Sequence, residues 1–200
     1  MKIFDRTTYN GETFKKINAP GETCQGITFE DCTFIHCNLS EATLKNCSFT
    51  NCTFTGCDLS LARLPMAYFQ ETIFKNCRLM GINWCQADWQ TSSLLSRKHL
   101  DFENCLLDHA VFIGLDLQDT QFINCKARRL DFESADLARA DFKGTDLEGA
   151  RFMNCNLAEA NFVGAENYEI DAAANTLHKT RFSLPEAVAL LHSLDIILEE

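Results

Sequence analysis

The chain has 200 residues, 46% of them hydrophobic, with 28 acids against 18 basic residues and a formal net charge of −10. That size and apolar content suit one domain with a continuous core, and no window approaches the roughly 18 apolar residues of a membrane span. The opening Met1-Lys2-Ile3-Phe4-Asp5 runs into charge instead of an apolar segment, so no secretory signal is expected. The chain reads as cytoplasmic, with no membrane partner.

In chain order, Phe4, Tyr9 and Phe14 stand five apart, and Ala19-Pro20-Gly21 then interrupts them, so residues 1–28 are expected to form an irregular cap or poor first coil. From Phe29 a large apolar residue recurs at every fifth position, through Phe34, Leu39 and Leu44 to Leu94, and again from Phe102 to Phe162. Two positions before each stands a small or medium residue, such as Cys32, Cys37, Ala42 or Cys47. A period of five fits neither a helix nor a strand and marks a repeat architecture.

A longer period lies over the first. The large residues run Phe-Phe-Leu-Leu from Phe29 and from Phe49, then Phe-Leu-Phe-Leu from Phe102 and Phe142, so the full unit is four pentapeptides. The simplest geometry is a four-sided coil in which residue n stacks under residue n+20, with a rise of about 4.8 Å per coil. Like then lies on like, Phe29 under Phe49 under Phe69 and Leu117 under Leu137 under Leu157, as in a solenoid whose repeats touch only their neighbours. Three before the large residue the chain often has Asn or Gly, as at Asn46, Gly56, Asn124 and Gly144, residue types that tolerate the positive φ of a tight corner. The expected fold is an all-β solenoid over residues 29–167 with about eight coils.

Runs such as Ala135-Asp136-Leu137, Ala140-Asp141-Phe142 and Ala160-Asn161-Phe162 resemble the pentapeptide repeat family. The resemblance implies a right-handed quadrilateral β-helix; the hand comes from the resemblance alone.

Nine of the eleven cysteines take the small inward position; Cys24 and Cys85 do not. They read as buried small hydrophobes in a reducing compartment. Cys47, Cys52 and Cys57 would fall on successive sides with no histidine to complete a site, so no metal is expected. From Leu94 to Phe102 the spacing is eight, which places three inserted residues around Leu95-Ser96-Arg97-Lys98-His99 and a break at 95–101. This is either a bulge between stacked segments or a partner-contact loop. Leu61, Pro65 and Met66 keep register yet face outward as an unexplained apolar patch.

After Phe162 the pattern fades through Asn167-Tyr168-Glu169-Ile170. Ser183 then reads as a helix N-cap and Pro185 as first-turn proline, with Ala187, Leu190, Leu191 and Leu194 at helical spacing. An apolar tail, Ile196-Ile197-Leu198, follows. Residues 168–200 are expected to cover the open end of the solenoid. The resemblance adds that such ends pair two subunits, here through Leu190, Leu191, Leu194, Ile196 and Leu198.

Charge is segregated. Residues 101–171 hold fifteen acids and six bases, nearly the whole net charge. Asp101, Asp116, Asp131, Asp136, Asp141 and Asp146 precede large residues, while Glu103, Asp108, Glu133 and Glu148 follow them, so all point outward. If two chains met at their C-termini, roughly 34 Å of rod would carry about −18, against about −20 for the same length of B-DNA. The candidate partner-binding set is Asp101, Asp108, Asp116, Asp131, Asp136, Asp141, Asp146 and Glu148. The resemblance implies proteins of the quinolone- and albicidin-resistance type, which protect DNA gyrase and topoisomerase IV from poisons by occupying the groove that holds DNA. The stretch Arg181-Phe182-Ser183-Leu184-Pro185-Glu186-Ala187 looks closest to the albicidin branch. The alternative is a scaffold with another partner. A mimic needs its acids on one continuous face; a scaffold scatters them. The five histidines form no pairing with an acid or nucleophile, and no phosphate loop is present, so neither catalysis nor a cofactor is expected.

Overall fold

The computed structural model describes residues 4–89 and 100–194. It is a parallel β-solenoid of about eight coils. Strands of two to four residues pair in parallel with the segment twenty positions on, as Tyr9↔Phe29, Phe29↔Phe49 and Phe49↔Phe69, or Phe14↔Phe34 and Phe34↔Phe54. Isolated bridges such as Asn38↔Asp58 and Asp136↔Asn156 carry the same register round the other sides. Within three-residue strands such as Thr33–Ile35 and Thr53–Thr55 the middle residue is buried and its neighbours face out, the alternation of an extended chain. The chain then turns before that alternation can continue.

Four columns of buried residues result. Side one carries Phe29, Phe49 and Phe69, then Leu117, Leu137 and Leu157; side two carries Phe34, Phe54, Phe74, Phe102, Phe122, Phe142 and Phe162. Side three carries Leu39, Leu59, Leu79, Leu107, Ala127 and Leu147; side four Leu44, Leu64, Trp84, Phe112, Phe132 and Phe152. The rings stack nearly parallel, Phe34 on Phe54 at 4.4 Å between centroids and Phe142 on Phe162 at 4.7 Å. Rings on different columns meet edge-on, as Phe122 and Phe132 do at 5.6 Å. Each such pair contributes about 0.5–1.5 kcal/mol beyond its buried area.

The corners take two forms, and the residue two before each large one reports which. Where it is alanine, its amide closes the turn on the carbonyl three back: Ala42 on Leu39 at 3.1 Å, Ala62 on Leu59 at 2.9 Å, Ala140 on Leu137 at 3.0 Å. Among the described residues no cysteine at this position makes that bond. Its thiol instead donates to an inward carbonyl one coil below, Cys57 to Phe34 at 3.4 Å and Cys77 to Phe54 at 3.4 Å. The open cysteine amide can use the next sulfur up as acceptor, Cys37 N to Cys57 Sγ at 3.3 Å. Thr72 does the same work with its hydroxyl, bonded to the Phe49 carbonyl at 3.1 Å. Cysteine is thus a hydrogen-bonding residue here as well as a small one. Thr120 stands in an alanine-type corner, its amide on Leu117 at 3.2 Å, and its buried hydroxyl has no partner.

The structure differs from the sequence expectation in several places. The break holds eight extra residues, not three: Phe102 pairs with Phe74, a separation of 28 positions against the regular 20. Leu94 was counted as a register position, but Phe102 fills the place twenty beyond Phe74; Leu94 and the stretch Leu95–His99 lie outside the described residues. Phe102 consequently sits on side two, stacked on Phe74 at 5.6 Å. Near the N-terminus, Ala19-Pro20-Gly21 does not interrupt the coil. Asn18 bridges Asn38, the Ala19 amide bonds the Asn38 carbonyl at 2.8 Å, and Gly21 bonds Ser40 at 2.7 Å. Ala19 and Cys24 hold large-residue positions, both buried, so small size alone hides the repeat.

The solenoid also runs on past Phe162. Glu166 bridges Asp146, Thr176 bridges Asn156, and Phe182 stacks on Phe162 at 5.2 Å. A one-residue slip that buries Tyr168 where position 167 was due conceals this last coil. The helical segment is a 3-10 helix over Glu186–Leu194. The Ser183 side chain does not cap it: its Oγ accepts the Gly164 amide at 3.0 Å, tying the segment to the last coil.

Candidate partner-binding surface

The aspartates that precede large residues are built into the turns. Asp136 Oδ1 accepts the Ala138 amide at 3.1 Å and Asp141 Oδ1 the Lys143 amide at 2.9 Å, with Asp116, Asp131 and Asp146 bonded alike. Asparagine one coil up donates to the same oxygens, Asn156 to Asp136 and Asn161 to Asp141, each at 2.9 Å. Asp101 accepts the Gln121 amide at 3.0 Å and Asp108 the Arg128 amide at 3.1 Å. The outward-facing acids therefore hold coil to coil whatever else they do.

The predicted set does not share one face. Asp116 and Asp136 lie on side one, Asp101 and Asp141 on side two, Asp108, Asp146 and Glu148 on side three, and Asp131 on side four. Between residues 100 and 164, sides one and two together hold seven acids and two bases, while sides three and four hold five acids and four bases. On the latter, arginines take up the charge: Arg128 contacts Asp146 at 2.7 Å and Glu148 at 3.6 Å, and Arg151 contacts Asp131 at 2.8 Å and Glu133 at 2.9 Å. Partial burial works against ionisation of Asp146, but hydrogen bonds from Asn167 and Arg128 outweigh it and hold the carboxyl below its usual range. On the edge joining sides one and two, Asp119 pairs with Arg139 at 2.7 Å. In the next coil Lys179 and Arg181 close that edge, while Glu166, Glu169 and Asp171 add to the other sides.

Of the residues proposed to pair subunits, Leu190 packs against the core cluster and Leu191 is half-buried; Leu194 is the last described residue, and Ile196 and Leu198 lie outside the described residues. A cavity of about 530 Å³ opens beside this helix, lined by Arg151, Met153, Glu169, Asp171, Ala189 and Ser193 among others. Leu61 and Met66 are corner residues with positive φ, 57% and 60% exposed, which is why they face out in register. Leu61 lies across Gly81 in the next coil, where an added Cβ would come within 2.6 Å of Leu61 Cδ2. All eleven cysteines are free and all but Cys85 buried; burial pushes the Cys52 thiol up to about 12. Among the described residues no three His, Cys, Asp or Glu side chains converge on a point that would hold a metal, and no helix is long and apolar enough to cross a membrane.

No curated protein matches the chain. Among solved structures it is similar to full-length QnrB1, a plasmid-mediated fluoroquinolone resistance protein, with 21% identity and a TM-score of 0.43 over 92% of this chain and 100% of that one. It is similar also to HetL, a pentapeptide repeat protein involved in heterocyst differentiation regulation from the cyanobacterium Nostoc sp. strain PCC 7120, with 17% identity and a TM-score of 0.46 over 88% and 87% of the two chains. A pentapeptide repeat protein of the Arabidopsis thaliana thylakoid lumen follows, at 20% identity and a TM-score of 0.30 over 68% of each chain. Likenesses of this order say nothing about shared partners. The family model described as a pentapeptide repeat region matches residues 27–110 and 96–172, and the chain belongs to the pentapeptide repeat family.

Proposed function

We propose that the chain is a non-catalytic binding rod that engages the basic groove in which a type II topoisomerase, DNA gyrase first and topoisomerase IV second, holds DNA, and so shields the enzyme from poisons. The observation that carries this reading is the preponderance of acids on two adjoining sides between residues 100 and 164, seven against two bases. There Asp101, Asp116, Asp136 and Asp141 are bonded to amides, which leaves their charge for a partner. Complementary charge of this kind steers encounter and fixes register. The reading takes the rod as a homodimer joined through Leu190, Leu191, Leu194, Ile196 and Leu198, which doubles the acidic length.

A second reading, a scaffold for another partner, is favoured by Asp108, Asp131, Asp146 and Glu148. These lie on the other two sides, and three of them meet arginine. Binding of labelled protein to gyrase separates the two. Replacing Asp101, Asp116, Asp136 and Asp141 by Asn should weaken binding at least tenfold, while Asp108→Asn, Asp131→Asn, Asp146→Asn and Glu148→Gln together should weaken it far less. Absence of wild-type binding would sink the topoisomerase reading, and equal loss in both variants would sink the assigned edge.

A further inference from the structure

Five of the eleven cysteines form a single file. Cys37, Cys57, Cys77, Cys105 and Cys125 each immediately precede a member of one continuous ladder, Asn38↔Asp58↔Arg78↔Leu106↔Lys126, so they occupy the same inward place on side three in five successive coils. The thiols are oriented alike from coil to coil, each donating to the inward carbonyl one coil below: Cys57 to Phe34 at 3.4 Å, Cys77 to Phe54 at 3.4 Å, Cys105 to Phe74 at 3.3 Å and Cys125 to Phe102 at 3.5 Å. The Cys37 amide reaches Cys57 Sγ at 3.3 Å and the Cys57 amide reaches Cys77 Sγ at 3.4 Å, so the sulfurs follow one another along the rod axis. Cys32 and Cys52 form a shorter file of two on side two.

We infer that the file is a binding site for soft, two-coordinate monovalent cations of the Cu(I) class, one between each pair of stacked sulfurs.

Soft thiolate ligands select Cu(I) over the harder divalent ions. A metal–sulfur bond of about 2.3 Å on either side of a cation spans about 4.6 Å, close to the rung spacing of about 4.8 Å. The coil therefore presets the sulfur separation for a linear bridge, with no third ligand needed. Charge also balances. One Cu(I) entering between two stacked thiols forms two Cu–S bonds and releases one proton to solvent. The pair then holds one thiolate, one thiol and one cation and stays neutral, which avoids the cost of an unpaired buried charge. No electron is transferred. A divalent ion would have to expel two protons and finds only two sulfurs, so Zn(II) is disfavoured by the same geometry.

The test is anaerobic titration of the reduced full chain with Cu(I) held by a chromogenic chelator, in a Cys85→Ser background that removes the exposed thiol. Cys57→Ser with Cys105→Ser breaks all four gaps of the file with two changes, and serine keeps a hydrogen-bond donor for the inward carbonyls. Cys47→Ser with Cys155→Ser removes as many thiols, neither of them stacked on another cysteine. Uptake of about five Cu(I) per chain is expected in the background and in the control pair, falling to about one in the file variant, with circular dichroism confirming that each is folded. Equal uptake in the two double variants, or none in the background, would overturn the assignment.

Discussion

Asp141 gives the sharpest test of whether the outer acids are structural. Its Oδ1 accepts two bonds at 2.9 Å, from the Lys143 amide across its own turn and from Asn161 Nδ2 one coil up. Replacement by alanine removes both. At a net value of about 0.5–1.5 kcal/mol each, reduced because the Lys143 amide can turn to water, the cost should be about 1–2 kcal/mol. Replacement by asparagine keeps the accepting oxygen. Asn156 and Asn161 already do this work in equivalent places, accepting the Ala158 and Val163 amides at 3.2 Å. Asp141→Asn should therefore cost no more than about 0.5 kcal/mol. Urea unfolding followed by circular dichroism reads the difference, and a thermal scan should place the alanine variant about 2–8 °C lower. An asparagine variant as unstable as the alanine one would show that charge and not acceptor geometry holds these turns. It would also void the use of asparagine variants to dissect partner binding.

Other positions yield shorter tests. Asp146 has a lowered carboxyl pKa in the folded chain, so its contribution is complete above the ordinary carboxylate value of about 3.9 and disappears as pH falls through its lower folded value; Asp146→Asn should lose less stability than wild type between about pH 5 and pH 2. Thr120→Val removes a buried hydroxyl without a partner at nearly constant volume and should stabilise by about 1 kcal/mol, read as a higher urea midpoint. Cys57→Ala removes the thiol's bond to the Phe34 carbonyl and leaves the Cys37 amide without its acceptor, and should cost about 1–3 kcal/mol, most of which Cys57→Ser should restore; equal loss in both would reduce the cysteines to space-filling.

The repeat was legible because one rule, a large residue inward every fifth position, is imposed by every coil. The n+20 register follows from it, and Phe29, Phe49 and Phe69 stack as that rule requires, at 5.1 Å. What escaped were places where the rule is obeyed by unexpected residues. Ala19 and Cys24 are too small to signal an inward position, and Tyr168 arrives one residue late. The break was misjudged because Leu94 happens to keep the five-residue count. Corner chemistry was hidden for a different reason: cysteine and alanine look interchangeable by size, and only the backbone shows that one serves open turns and the other closed ones. The five-thiol file was present in the spacing all along, since Cys37, Cys57 and Cys77 stand twenty apart and the break merely shifts Cys105 and Cys125. The acids were rightly placed outside, but their division among four sides needed the register across the break.

Supercoiling of DNA by purified gyrase, titrated with this protein with and without a gyrase poison, tests the functional account most directly. Recovery of supercoiling by the poisoned enzyme at low dose, with inhibition of the free enzyme at higher dose, is the predicted result, and both effects should be lost with Asp101, Asp116, Asp136 and Asp141 replaced by Asn. Supercoiling unchanged in both arms across the titration would contradict it and leave an acidic rod built for a different partner.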